Sequence, residues 1–204
     1  MLKNSLGLTS AAFTLIIVVS APASAVAQDR LQVSGGYQFG QTASGTTVSG
    51  TAFSGTTFPM GWFADAALRL GVHGLSVVTE VTGAYKNASQ VSSPSPSISV
   101  THELRQRQHT VMGGIRYDLS THGRSTPFVQ TLVGVRHASS ESSSSAAFIP
   151  SSDTSSDDTT WGVGGGMRFA LNAKWATRIG IGYRRVMKAD LTSNGFQVTA
   201  GLVR

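Results

Sequence analysis

Residues 161–184, WGVGGGMRFALNAKWATRIGIGYR, change character at every second position. Trp161, Val163, Gly165, Met167, Phe169 and Leu171 stand against Gly162, Gly164, Gly166, Arg168 and Ala170. After Asn172-Ala173 the alternation resumes, with Trp175, Thr177, Ile179, Ile181 and Tyr183 against Ala176, Arg178, Gly180, Gly182 and Arg184. Successive side chains of a strand point to opposite faces, so this pattern predicts a β-hairpin with a very short turn. One face is apolar and aromatic; the other holds glycine and arginine.

The same pattern recurs outward from this hairpin. Phe196, Val198, Ala200 and Leu202 form a last strand after it. Before it, a strand at about 127–137 sets Val129, Thr131, Val133 and Val135 against Gln130, Gly134 and Arg136. Val111, Gly113, Ile115 and Tyr117 oppose Met112, Gly114, Arg116 and Asp118, and Leu75, Val77, Thr79, Val81, Gly83 and Tyr85 oppose Glu80, Thr82 and Lys86. Residues 59–70 set Trp62, Ala64, Ala66, Leu68 and Leu70 against Phe63, Asp65, Ala67 and Arg69; Leu31, Val33, Gly35, Tyr37 and Phe39 open the series. Eight strands are predicted.

The links between them alternate in length: long at 40–58, short at 71–74, long at 87–104, short at 119–126, long at 138–158, Asn172-Ala173, then medium at 187–194. Outer-membrane barrels have this asymmetry, with tight periplasmic turns and longer exterior loops. The long links are rich in Ser, Thr, Gly, Pro and Asp; Ser139 to Ser145 and Asp153 to Asp158 have little apolar surface to bury, so mobile loops are expected there.

The faces point the same way. If the apolar face turned inward, Asp65, Arg69, Glu80, Arg116, Asp118, Gln130, Arg136, Arg168, Arg178 and Arg184 would meet water and the structure would be soluble. If it turns outward, those groups line a lumen where buried charges must be paired. Eight strands enclose a space just wide enough for side chains to fill, so ion pairs and small water pockets are expected rather than an open pore. Inward Gly162, Gly164, Gly166, Gly180 and Gly182 would leave room for arginine heads. Tyr85, Tyr117, Trp161, Trp175 and Tyr183 fall at ends of outward runs, as interfacial girdles require.

The N-terminus supplies the export route. Lys3, the apolar run Ala11–Val19 and Ala25-Val26-Ala27 read as a secretory signal peptide, with residues 1–27 removed before Gln28; the run is too short for a spanning helix, which needs ~20 residues. Residues 28–204 then form one domain. There is no cysteine in the 204 residues, which excludes disulfides, thiolate metal sites and a lipoprotein anchor. The expected mature chain has 15 lysines and arginines against 10 acids. Outside the cytoplasm that basic balance points to anionic headgroups and lipopolysaccharide phosphates rather than nucleic acid.

On the stretch Trp62–Tyr85 (WFADAALRLGVHGLSVVTEVTGAY), the segment Thr126-Pro127-Phe128-Val129 and the glycine-rich strand joined through Leu171-Asn172-Ala173-Lys174-Trp175 to the next, residues 28–204 resemble the outer-membrane β-barrel domain proteins, small OmpA/OmpX-like barrels of Gram-negative bacteria. The resemblance implies an eight-stranded antiparallel up-and-down barrel, inserted as a monomer by periplasmic chaperones and the barrel assembly machinery. Such barrels usually finish on an outward aromatic residue that the machinery reads; here the sequence ends Val203-Arg204. No peptidoglycan-binding domain follows the barrel, so no tether to the cell wall is implied.

Catalytic patterns are thin. His137-Ala138-Ser139 with Glu141 offers a base, a serine and an acid, but a serine-rich segment produces His-x-Ser by chance, and a triad needs its members in hydrogen-bond reach. Gly162-x-Gly164-Gly165-Gly166 lacks the following helix a phosphate loop needs. The five histidines show no ligand spacing. No catalytic, cofactor or metal site is expected. Arg105, Arg107 and His109 could grip lipopolysaccharide phosphates at the exterior end of the fourth strand. The expected role is a non-enzymatic envelope protein that presents exterior loops, with a narrow channel and a lipid A-modifying enzyme as alternatives.

Overall fold

The computed structural model describes residues 30–42, 46–48, 51–53, 56–58, 60–71, 74–95, 98–119, 124–145, 151–187 and 192–204. The expected signal peptide lies outside them. Eight principal strands follow one another: β1 (Leu31–Thr42), β2 (Met60–Arg69), β3 (Leu75–Ser95), β4 (Ile98–Asp118), β5 (Ser125–Ser144), β6 (Ser152–Ala170), β7 (Ala176–Met187) and β8 (Thr192–Val203). Each pairs antiparallel with its sequence neighbour, and β8 returns to β1 through Ser34↔Val203 to Thr42↔Gly195. The sheet is therefore closed and the barrel has no edge along its shared length. Three three-residue strands lie between β1 and β2; Thr46–Val48 pairs with Thr51–Phe53, and Thr56–Phe58 pairs with the end of β1.

Alternation sets the faces as the sequence analysis reads them. Val33, Val77, Val111, Ile115, Val133, Ile179, Ile181 and Leu202 are among the exposed outward side chains, while Phe63, Ala67, Val78, Met112, Phe128 and Leu132 are buried inside. The inner space is therefore not purely ionic. Ala67, Val78, Met112 and Leu132 make a small apolar cluster beside the charges.

The short links are tight. Gly71 and Gly74 take left-handed φ values of 77° and 78°, the region glycine enters without steric cost. At the β6–β7 turn the Asn172 side-chain oxygen accepts from the backbone N–H groups of Lys174 at 2.8 Å and Trp175 at 2.9 Å, a side-chain mimic of a backbone turn.

The long links differ from expectation. Most of 87–104 and of 138–158 is strand. β3 and β4 run on in register to Ser92↔Val100, and β5 and β6 to Ser142↔Ser152. Backbone pairing begun in the barrel propagates outward: each further residue pair adds ladder hydrogen bonds without closing a new loop, so polar composition does not stop it. The Ser142 and Ser152 hydroxyls also meet at 2.8 Å. β3 to β6 thus have 19 to 21 residues, against 10 to 12 in the other four, and a bilayer needs only ~9–11 per strand. The excess stands up as a four-stranded wall on one side of the barrel.

Candidate functional site

The lumen and the wall hold the side chains singled out by sequence. Within the lumen, Asp65 sits near the middle of β2. Its carboxylate receives Arg178 from β7, Arg116 from β4 at 3.2 Å and the Ser34 hydroxyl from β1 at 2.6 Å. Glu80, next to it on β3 and 1% exposed, receives Arg184 and stands 4.0 Å from Arg178. Gln130 joins the two groups: its carbonyl oxygen accepts from Arg116 Nε at 3.0 Å and its amide donates to Glu80 at 3.4 Å.

Two further pairs flank this centre. Arg168 pairs with Asp118 and reaches Gln32 towards the short-turn end. Arg136 meets Asp158 at 2.6 Å towards the wall. Arg69 is the exception among the predicted lumen residues. It shares the inward face of β2 but occupies the last position of that strand, where it is exposed, so water solvates it.

Aromatic rings complete the plug. The Arg178 guanidinium lies between Phe63 and Phe128, 5.4 and 4.8 Å from the ring centroids, and Arg116 lies 5.1 Å from the second. These distances are in cation–π range. The inward glycines serve this packing more than they serve arginine heads: a Cβ on Gly166 would stand 2.8 Å from Phe128 and overlap the Ile179 carbonyl, one on Gly182 would press on Gln197, and only Gly162 faces an arginine, Arg184, at 3.2 Å. Cavities of about 40 and 10 Å³ remain around Arg136, Arg184 and Arg178. Their volumes suit a few waters at most.

On the outer surface, Trp161 packs edge-on against Tyr183 at 6.1 Å and Tyr183 against Phe196 at 5.5 Å, with the Tyr183 hydroxyl donating to Asn194 at 2.7 Å. The Trp62 indole donates to the Tyr85 hydroxyl at 3.2 Å. These rings gather below the wall. Tyr117 and Trp175 lie at the opposite end, the latter beneath the Arg204 guanidinium at 5.7 Å.

Arg105 and Arg107 both point outward from the wall, yet their settings differ. Arg105 is 3.7 Å from Glu103 and lies opposite Glu141, whereas Arg107 lies between Tyr85 and Ser139 in the register of the sheet. Tyr85, Met60, Asn87, Ser89 and both arginines line a groove of about 520 Å³. His109, one step nearer the barrel, packs edge-on against Tyr85 at 5.7 Å and stands opposite His137.

His137 does not take Glu141 as its acid. Its Nδ1 lies 2.7 Å from Asp157 Oδ1, across on β6. Among the described residues no group of three or more His, Asp or Glu side chains could hold a metal.

The sequence profile of the outer membrane protein β-barrel domain matches residues 11–203. The chain belongs to this family. It is an outer-membrane barrel, its apolar outer face turned to lipid. Solved structures share its fold, among them the following two. Ail, the attachment invasion locus protein of Yersinia pestis, solved with the heparin analogue sucrose octasulfate, is 15% identical with a TM-score of 0.55, covering 86% of this chain and 98% of its own. Neisserial surface protein A is 14% identical with a TM-score of 0.52, covering 85% and 95%. No curated protein sequence matches the chain.

Of the functional side chains, sequence reading missed Ser34, Phe63, Phe128, Asp157 and Asp158. The signal for Asp158 was parity: it continues the inward series of Gly162 and Gly164, but falls in a stretch read as loop.

Proposed function

We propose that this barrel is a closed structural element of the outer membrane that raises a strand-built wall above the surface and engages lipopolysaccharide through the groove at Arg107. The observation carrying this reading is that groove, placed where β3 and β4 emerge past the Tyr85 ring, with a guanidinium that meets no carboxylate among the described residues. Arginine grips phosphate through a planar fork of donors, and Asn87, Ser89 and Tyr85 offer hydrogen bonds to sugar hydroxyls. The sulfated ligand of Ail is a polyanion on a similar fold, which supports an anion-binding exterior here. Arg105, already facing Glu103 and Glu141, contributes less.

A filled lumen fits the same reading and speaks against conduction. The role requires no turnover. The test is binding of purified lipopolysaccharide to the detergent-solubilised barrel. Arg107→Glu is expected to weaken binding at least about tenfold, and Arg105→Glu by a smaller factor, with the difference fading as salt rises. Equal affinity of wild type and Arg107→Glu at low salt rejects the groove.

A further inference from the structure

The two ends of the barrel carry charge in opposite ways. Among the described residues every exposed carboxylate, those of Glu103, Glu141, Asp153 and Asp157, lies on the wall. At the end with the short turns the exposed charged groups described are all cations: Arg30, Arg69, Arg124, Lys174 and Arg204. Asp118, at the same end, is buried and held by Arg168. The three short links, 70–74, 119–124 and 171–175, contain no Asp or Glu; Asp29, which precedes Arg30 in the sequence, would offset one of the five cations. Short turns of such barrels face the periplasm, so this basic rim adjoins the leaflet opposite lipopolysaccharide.

Height supplies the ligand class. Leu31, Leu70, Leu119, Leu171 and Leu202 are exposed within one to five residues of those cations and form the last apolar ring of the barrel. Tyr117 and Trp175 are exposed at the same end, where amphipathic rings settle among headgroups. The Arg204 guanidinium lies 5.7 Å from the Trp175 ring centroid, within cation–π reach. Asn172 fixes the turn that presents Lys174 beside the same ring by accepting from the backbone N–H groups of both residues. A guanidinium and an ammonium thus flank one aromatic where apolar surface ends, and Arg30, Arg69 and Arg124 add to the positive field around the mouth. A lipid phosphodiester fits this setting: its acyl chains lie against the leucines and its phosphate meets the cations. A zwitterionic lipid brings its own cation to the same place, so the field favours lipids with net negative charge.

We propose that Lys174, Trp175 and Arg204 form the centre of a binding site for anionic phospholipid headgroups of the periplasmic leaflet, with the other rim arginines reinforcing the selection. The site is independent of the Arg107 groove and lies at the other end of the barrel.

The full chain carrying Trp62→Phe and Trp161→Phe keeps Trp175 as its single tryptophan. It is reconstituted in vesicles containing brominated phosphatidylglycerol or brominated phosphatidylcholine, and quenching of Trp175 fluorescence reports which lipid occupies the rim. Phosphatidylglycerol is expected to be preferred at least about tenfold, Arg204→Gln to lower that preference about fivefold, and Arg204→Gln with Lys174→Gln to bring it near unity. Arg204→Lys retains the preference, and so does Arg105→Gln on the wall. Native mass spectrometry of the chain with all three tryptophans, titrated with the same two lipids, gives the same ranking. Equal quenching by the two lipids, or a preference that survives the double variant, overturns the proposal. Lipopolysaccharide affinity of the rim variants is expected to be unchanged and reports on the groove separately.

Discussion

Asp65 gathers the guanidinium groups of Arg178 and Arg116 and the hydroxyl of Ser34 from three strands, so its removal strands two guanidinium groups in a space that water barely enters. Breaking a buried ion pair from one side costs roughly 3–5 kcal/mol. Asp65→Ala is accordingly expected to lower the unfolding free energy in detergent by about that much, read from urea titration. A loss below about 1 kcal/mol would show that the arginines find other partners. Gly166 makes a different demand: alanine there overlaps the Ile179 carbonyl, and refolding yields of Gly166→Ala should collapse while those of Gly113→Ala, whose added carbon meets no atom nearer than 3.9 Å, should not. At this scale strand parity was readable. It placed Asp65, Glu80, Arg116 and Arg178 on one face, but which arginine meets which acid depends on the stagger of eight strands, and no local pattern encodes that. Phe63 and Phe128 escaped because an inward aromatic looks unremarkable until an arginine is found lying on it.

Only the outer parts of the β3–β4 and β5–β6 hairpins, within 87–104 and 138–158, read as loops in the sequence. Composition measures how much apolar surface a segment buries, whereas these extensions are held by backbone pairing and by local contacts such as Arg136 with Asp158 and His137 with Asp157. The short turns were legible because Gly and Asn have specific backbone uses; Asn172 performs one of them.

At the scale of the whole barrel, the filled lumen predicts electrical silence. Planar bilayers containing the wild-type protein should show no steady single-channel steps, because Arg178 packs against Phe63 and Phe128 and, among the described residues, the cavities around Arg136, Arg184 and Arg178 hold only about 40 and 10 Å³. Reproducible unitary steps would require a continuous water path that this packing does not provide.

The closing seam has a kinetic consequence. Ser34 lies beside Val203, and the backbones of Val33 and Arg204 exchange two hydrogen bonds of 2.9 Å, so the contact that completes the barrel joins residues separated by nearly the full described chain. Contacts of such long sequence separation form slowly. Until the last strand docks, β1 and β7 each offer an unsatisfied ladder that another chain could seize. Safe assembly is thus a race between intramolecular zipping and intermolecular capture, and slowing delivery of the final twelve residues should favour aggregation over any gradual loss of native protein.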